Sequence, residues 1–309
     1  MVSIKQLKYF NAVVKFGHFG RAAEHCAVTQ PALSMQIQNM EADLGVQLLE
    51  RGPTGVITTA MGREIAKKAR RILEDVQTLT EYARHGDKLL TGKLNLGVIP
   101  SIAPYILPPL LPNLKTSFPE LDLHIRESQT RNLISELMAG QLDLLLLALP
   151  IEQDLEDIST EILFKDDFVL ALPKGQKLSG RVIASPQMME GKNLLLLEEG
   201  HCMRDQTIAY CQLQQAGNIN TQGASSLSTL VQMVANGMGV TLLPEMSMDV
   251  EARHQNIELL KFDKPVPSRK IGLAWRKTSA RGADFIEFGK RLVASRNLAH
   301  DKAGSITQP

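Results

Sequence analysis

Val28-Thr29-Gln30-Pro31-Ala32-Leu33-Ser34 opens the segment on which the fold assignment turns. Thr29 suits a helix N-cap, and Pro31 falls in the first turn, where its missing N–H costs no hydrogen bond. Beyond it Leu33, Ile37, Met40, Glu41 and Leu44 make one stripe at helical spacing, ended by Gly45. Upstream, Gly20 to Cys26 reads as a short helix with Ala22, Ala23 and Cys26 inward. Before that, Ile4, Leu7, Phe10, Val13 and Val14 mark a helix that Gly17 stops. Three helices with a tight turn before the third predict a helix-turn-helix; a plain three-helix bundle is the alternative. The third helix turns Gln30, Ser34, Gln36, Gln38 and Asn39 outward, the amides and hydroxyls that pair with base edges in a major groove. Leu48 to Thr58 reads as a hairpin wing, with Arg51 placed for a phosphate.

From Thr59 to Arg84 the chain predicts one long helix. Ile65, Ala69, Ile72, Val76, Leu79 and Ala83 follow a 4-3 alternation, the spacing of a coiled-coil seam. A lone helix cannot bury such a stripe by itself, which predicts a homodimer and two half-sites. Gly86 and Gly92 bracket a polar hinge.

Downstream, strand and helix signals alternate, predicting an α/β fold with largely parallel sheets. Strands are expected at 94–99, 121–125, 144–148, 168–172, 194–197, 240–243 and 271–275, and helices at 105–118, 133–139, 226–236 and 284–294. Ser101 follows the first strand and Thr130 the second, so both hydroxyls face the cleft at the strands' carboxyl ends.

Within this part lies Gly200-His201-Cys202-Met203-Arg204-Asp205-Gln206, followed by Cys211. Met203, Ile208, Ala209 and Tyr210 predict a helix starting near Cys202. Nine helical steps separate the two cysteine backbones by roughly 13 Å, whereas a disulfide needs Cα atoms about 4.4–6.8 Å apart. Either the thiols never pair, or pairing unwinds the helix. A helix N-terminus with His201 and Arg204 nearby favours a reactive thiolate; an inert buried thiol is the alternative.

With 309 residues, 44% of them hydrophobic and 22% charged, the chain has room for two or three cored units. Residues 1–92 carry 12 Lys/Arg against 9 Asp/Glu, a mild basic bias. The N-terminus lacks the apolar run of a signal peptide, and the run Leu144–Leu149 is too short to cross a bilayer, so no membrane partner and a cytoplasmic location are expected. Three cysteines do not make a secreted disulfide framework. Paired zinc-ligand spacing and a phosphate-cradling glycine loop are both lacking, so neither metal nor cofactor is expected.

Ala22-Ala23, Thr29 through Ser34, Ile37, Glu41, Leu44-Gly45, Leu48-Leu49-Glu50-Arg51 and Thr58-Thr59-Ala60-Met61-Gly62 resemble the winged helix-turn-helix of LysR-type transcriptional regulators. Met35 and Thr54 depart from that pattern, in which a small or basic residue and an arginine are frequent. The resemblance extends over nearly the whole chain. It implies a winged helix-turn-helix at 1–58, a linker helix and hinge at 59–92, an effector domain at 93–300 and a tail at 301–309. The effector domain would hold two Rossmann-like subdomains, as in periplasmic binding proteins: 93–164 with 269–300, and 165–268.

The Gly200 to Gln206 run with Cys211 resembles the peroxide-sensing branch of that family. By carry-over, Cys202 would be the peroxide-reactive thiol and Cys211 its disulfide partner. Ser101, Thr130, His201, Arg204, Gln206 and Arg269 would surround the peroxide, and Thr29, Gln30, Pro31, Ser34, Gln36, Gln38 and Arg51 would contact DNA. The implied partners are a double-stranded operator, hydrogen peroxide, further copies in a homotetramer, and RNA polymerase as a candidate. Two readings compete: a regulator answering a small organic effector in the same cleft, and a thiol peroxidase. The helix-turn-helix and the dimer seam argue against an enzyme.

Overall fold

The computed structural model describes residues 1–52, 55–85, 88–151, 156–175, 183–189, 191–213, 220–253 and 255–305. The chain divides into two compact units, Met1–Gly86 and Asp87–Pro309.

In the first unit, α1 (Ile4–Phe16), α2 (Phe19–His25) and α3 (Gln30–Leu44) precede a hairpin of β1 (Leu49–Gly52) and β2 (Gly55–Thr58), and α4 (Ala60–His85) follows. Ser3 and Gln6 cap α1 reciprocally, and the His18 ring accepts from the Gly20 N–H at 3.0 Å to cap α2. Between α2 and α3 the chain reverses through Ala27 at φ 54. Phe10, Val13, Ala22, Leu33, Ile37 and Met40 are fully or almost fully buried between the helices. Two members of the expected α3 stripe behave differently. Glu41 accepts from the backbone N–H groups of Leu48 and Leu49, at 2.7 and 3.1 Å, and so anchors the start of the wing; Leu44 is exposed. At the other end of the wing the Gly17 carbonyl accepts from Val56 at 2.9 Å. Thr59 accepts from the Gly62 N–H at 2.9 Å, and Gly62 packs so closely on the Leu48 carbonyl that a Cβ has no room.

The expected seam of α4 is split. Ala66 and Ala69 are buried, and Ile65 and Leu73 pack against the core of their own unit. Ile72, Val76 and Leu79 are instead 44, 37 and 68% exposed and, among the described residues, form the uncovered part of the seam; the side chain of Ala83 lies outside the described residues.

In the second unit β3 (Gly92–Val98), α5 (Ala103–Ser117), β4 (Leu121–Glu127), α6 (Thr130–Met138), β5 (Leu144–Leu149) and β6 (Ile158–Pro173) come first. Then follow β7 (Asn193–Leu197), α7 (Cys202–Leu213), β8 (Asn220–Ala224), α8 (Leu227–Ala235), β9 (Thr241–Pro244) and α9 (Met248–Glu251). The last elements are β10 (Ile257–Lys261), β11 (Ser268–Arg276) and α10 (Gly282–Ser305). The main sheet runs β10-β6-β11-β5-β3-β4, with β9 on β6, while β7 and β8 pair separately. It is mixed, not largely parallel as expected: β3 pairs β4 and β5 in parallel, but β11 is antiparallel to both β5 and β6. The reason is β6, a 16-residue strand whose first half lies on β11 and whose second half pairs β9 and β10.

Two cores result. One gathers Leu94, Leu96, Leu110, Leu133, Leu146, Ile271 and Phe285; the other gathers Leu170, Leu172, Leu195, Leu230, Val234 and Leu242. β6 passes from the first into the second, and β11 enters the first after Arg269. Tyr105 on α5 packs against the second core and donates to Glu251 at 2.7 Å, while Ser228 on α8 donates to the same oxygen at 3.0 Å. Burial, followed by Glu251, holds the Tyr105 hydroxyl well above the usual phenol range.

The hinge expected at 86–92 is anchored at its far end. Leu90 is buried with φ 53, its N–H donates to Asp284 at 3.2 Å, and the Thr91 carbonyl accepts from Arg281 at 3.1 Å. The helix expected at 284–294 is longer at both ends. It runs into the expected tail as far as Ser305, and the remaining tail residues 306–309, like Thr54, lie outside the described residues.

Substituting Gly62→Ala should lower the stability of the first unit by about 1–3 kcal/mol, because the added carbon must displace the Leu48 backbone; urea unfolding followed by circular dichroism measures it. Tyr105→Phe leaves Glu251 with one donor fewer and should cost the second unit about 1.5–3 kcal/mol. Differential scanning calorimetry checks this; an unchanged transition would mean that the bond adds nothing net.

Candidate functional site

Two sites are built in the chain, one on each unit. On the first unit, Gln30, Ser34 and Gln38 stand at four-residue steps along α3 and therefore share one ridge. Thr29, Gln30, Pro31 and Gln38 are exposed and Ser34 is half-buried. Gln36 lies off this ridge, half-buried, and its carbonyl accepts from Gln6 at 3.4 Å. Met35 stands beside Ser34 with 54% of its surface exposed, so the face that α3 presents is polar with one thioether in it. Arg51 lies on β1 opposite Val56; its side chain is outside the described residues.

On the second unit the residues converge on Cys202, a free thiol at the first position of α7. α7 is anchored through Met203, Ile208 and Tyr210 on one core, with the Tyr210 ring edge-on to Phe262 at 5.6 Å, whereas Cys202 packs against the other core. The Thr130 hydroxyl at the start of α6 and the Met203 backbone N–H lie near the sulfur and favour its thiolate. Beside it stands a buried guanidinium. Arg269 Nε donates to Asp166 at 2.9 Å, Nη1 to the Ser101 hydroxyl at 2.8 Å, and Nη2 to the Ser101 carbonyl at 2.9 Å and the Met246 sulfur at 3.7 Å. Arg269 and Asp166 face each other in the β6–β11 register, and both side chains are fully buried. Because Ser101 Oγ accepts from Arg269, its own O–H remains available to donate. One turn along α7, Gln206 Oε1 is buried, and among the described residues no donor reaches it.

The expected thiolate is not what this environment favours. Burial pushes the Cys202 thiol above its ordinary value; Arg269 and the Thr130 hydroxyl pull it back only in part, and Asp205 adds to the rise. His201 supplies no cation near neutrality, since burial lowers its pKa against the opposing pull of Glu198. Arg204 turns its Nη1 to the Leu197 carbonyl at 3.2 Å, where it pins the end of β7. The positive charge at the sulfur thus comes from Arg269, 67 positions away in sequence, with its counter-ion Asp166 already in place. Asp166 was absent from the expected set. Its signal is a carboxylate at the polar edge of an apolar run, directly before Asp167 and Phe168.

Cys211 shares α7 with Cys202, nine positions on, and its side chain lies outside the described residues. With the helix continuous from Cys202 to Leu213, the backbones at the two positions are roughly 13 Å apart, beyond disulfide reach.

Comparison with known proteins follows this geometry. Residues 4–63 match the family described as "Bacterial regulatory helix-turn-helix protein, lysR family", and residues 87–294 match "LysR substrate binding domain". The chain is 41% identical to a probable hydrogen peroxide-inducible genes activator of Mycobacterium leprae over 93% of this chain and 92% of that protein. It is 36% identical to the DNA-binding transcriptional dual regulator OxyR of Escherichia coli K12, over 97% and 98% respectively. The chain belongs to the LysR family, on its OxyR branch. Among solved OxyR structures, a full-length cysteine-to-aspartate variant from Pseudomonas aeruginosa superposes with TM-score 0.76 at 34% identity, covering 96% of this chain and 95% of that one. A hydrogen peroxide-bound cysteine-to-serine OxyR variant from Corynebacterium glutamicum gives TM-score 0.67 at 32% identity, covering 100% and 99%. As a LysR-family protein with a helix-turn-helix, the chain is a DNA-binding transcriptional regulator and not an enzyme. Among the described residues no helix is long and apolar enough to cross a membrane.

A raised thiol pKa predicts the pH dependence of Cys202. The fold favours the neutral thiol, so its contribution to stability is complete below the unfolded-state pKa and is lost as pH rises through the higher folded value. Iodoacetamide alkylation of Cys202 should therefore keep accelerating above pH 9, past the midpoint of an unperturbed thiol; a plateau reached below neutrality would contradict the desolvated site.

Proposed function

We propose that the chain senses hydrogen peroxide by oxidation of Cys202 and answers with a Cys202–Cys211 disulfide that refolds α7 and changes DNA binding. The observation that carries this reading is a free cysteine with a threonine hydroxyl near it, beside a buried arginine–serine pair and an open amide acceptor. A peroxide is both donor and acceptor, and the cluster offers both complements. Gln206 Oε1 accepts one peroxide O–H, and the Ser101 hydroxyl donates to a peroxide oxygen; His201 lines the approach. The peroxide-bound OxyR structure of C. glutamicum supports the assignment of the signal.

In the first step the sulfur of Cys202 attacks one peroxide oxygen and the O–O bond breaks. The leaving oxygen, with the proton shed by the thiol, departs as water, and sulfur is left as sulfenic acid. Arg269 and Thr130 stabilise the thiolate that must form on the way, offsetting the desolvation that keeps the resting thiol neutral. In the second step the Cys211 thiol displaces the sulfenic oxygen as water and closes the disulfide. Closure requires α7 to unwind, with Met203, Ile208 and Tyr210 leaving their core. The subdomains divide at the crossing of β6 and β11, 93–164 with 269–300 and 165–268. The change reaches DNA through the 59–92 helix and hinge.

DNA is contacted by Thr29, Gln30, Pro31, Ser34 and Gln38 in the major groove, with Gln36 at the flank and Arg51 on a phosphate. Met35, exposed among them, suits the methyl group of a thymine. Ile72, Val76 and Leu79 pair the long helices of two copies, and a tetramer and contact with RNA polymerase complete the assembly implied by the family.

Brief peroxide exposure followed by non-reducing peptide mapping tests the scheme. The parent chain should yield a Cys202–Cys211 linked peptide pair. Cys202→Ser should give no linked pair and an unchanged footprint on its operator, and Cys211→Ser should retain a trappable sulfenate at Cys202. A normal peroxide-induced footprint change in Cys202→Ser would refute the assignment.

A further inference from the structure

The loop that delivers Cys202 to the cluster has a backbone that only its neighbour explains. Gly200 sits at φ 91, a conformation that L side chains rarely adopt, and a Cβ there would run into the carboxamide of Gln129. The same carboxamide donates from Nε2 to the carbonyl of Glu199 at 3.2 Å. Gln129 occupies the N-cap position of α6 yet makes no capping bond with its own helix. Its amide is spent on a segment 70 positions away. The next residue, Thr130, places its hydroxyl near the Cys202 sulfur. Two consecutive side chains at the β4–α6 turn therefore meet one loop, Gln129 by a bond to the backbone at Glu199 and Thr130 beside the thiol of Cys202.

The loop's remaining ties lie on the other side. Glu198 N–H donates to the Ala224 carbonyl at 3.0 Å, Arg204 reaches the Leu197 carbonyl at 3.2 Å, and the turn bond from His201 N–H to the Glu198 carbonyl is 3.4 Å long. All of these join the loop to the β7–β8 side or to itself. Among these ties only Gln129 fixes the loop backbone to the elements that carry Thr130.

We infer that Gln129 is a positioning residue for the oxidation of Cys202. By clamping Glu199 and Gly200 it sets where the sulfur stands relative to the Thr130 hydroxyl, without touching the sulfur itself. This deepens the reading of Cys202 as the peroxide-reactive thiol and rests on it. Attack on an O–O bond needs the sulfur in line with it, and a displacement of about 1 Å can slow such a step by roughly 100-fold. Gly200 is the complementary half of the device, because any larger residue would compete with the carboxamide for the same space.

The test uses the full-length protein carrying Cys211→Ser, so that oxidation stops at the sulfenate. Dimedone trapping after rapid mixing with peroxide reads the rate at Cys202. Gln129→Ala should slow sulfenate formation by about tenfold or more, and Gln129→Glu, equal in length but without the N–H donor, should do the same. The thermal transition should stay with the parent, whereas a merely structural role would lower it together with the rate; the pH midpoint of iodoacetamide alkylation should rise as the sulfur moves off the Thr130 hydroxyl. Gly200→Ala should slow oxidation alone, and should cost less on top of Gln129→Ala, because the group it collides with has gone. If the parent reacts and Gln129→Ala keeps within about twofold of it, the role of Gln129 falls alone. A parent that forms no sulfenate overturns the sensor reading and this inference with it.

Discussion

The buried pair of Arg269 and Asp166 is the constraint around which the second unit is arranged. Two opposite charges with no exposed surface are tolerable only if nearly every donor and acceptor finds a partner. Arg269 meets the condition by reaching Ser101 and Met246 beside the first core while its guanidinium lies 5.9 Å from the Phe168 ring of the second, and Asp166 accepts from the Met246 N–H as well. The pair lies where two antiparallel strands carry the chain between the cores. The ions that could have been a liability thereby sit where the two strands cross between the cores, and they also place a positive charge beside a thiol whose burial they offset only in part.

α7 is held by opposing loyalties. Its first residue packs on one core while its body packs on the other, so the helix bridges the two cores. A thiol at its first residue and a cysteine at its tenth cannot meet while the hydrogen-bonded coil persists, because the rise of an α-helix keeps them about 13 Å apart. A disulfide between these positions and the continuous helix would exclude each other. Such exclusivity, more than any gradual deformation, is what a two-state regulator needs.

Much of the architecture was legible because burial leaves a pattern. Leu33, Ile37 and Met40 announce α3 by their spacing, and the run Leu144–Leu149 announces β5 by its continuity. What escaped was structure imposed from a distance. The first half of β6, with Ser159, Thr160, Glu161 and Lys165, is too polar to read as a strand and becomes one because β11 lies beside it. β8, Asn-Thr-Gln-Gly-Ala, is a strand only through β7. In the site, Cys202, Thr130, Ser101 and Arg269 could be named from resemblance, but local charge pointed to His201 and Arg204 as the cations near the sulfur. Folding brings Arg269 instead, and with it Asp166, 103 positions earlier. Glu41 misled for the opposite reason: a carboxylate at a stripe position serves the wing's backbone, not the core.

The fastening of Leu90 and Thr91 to Asp284 and Arg281 bears on how far the two units can be out of step. α4 ends at His85, and five peptide steps later the chain is already riveted to the root of α10. Whatever their conformation, five residues extend no further than roughly 18 Å. Little chain therefore separates the end of α4 from the point at which the second unit is fastened.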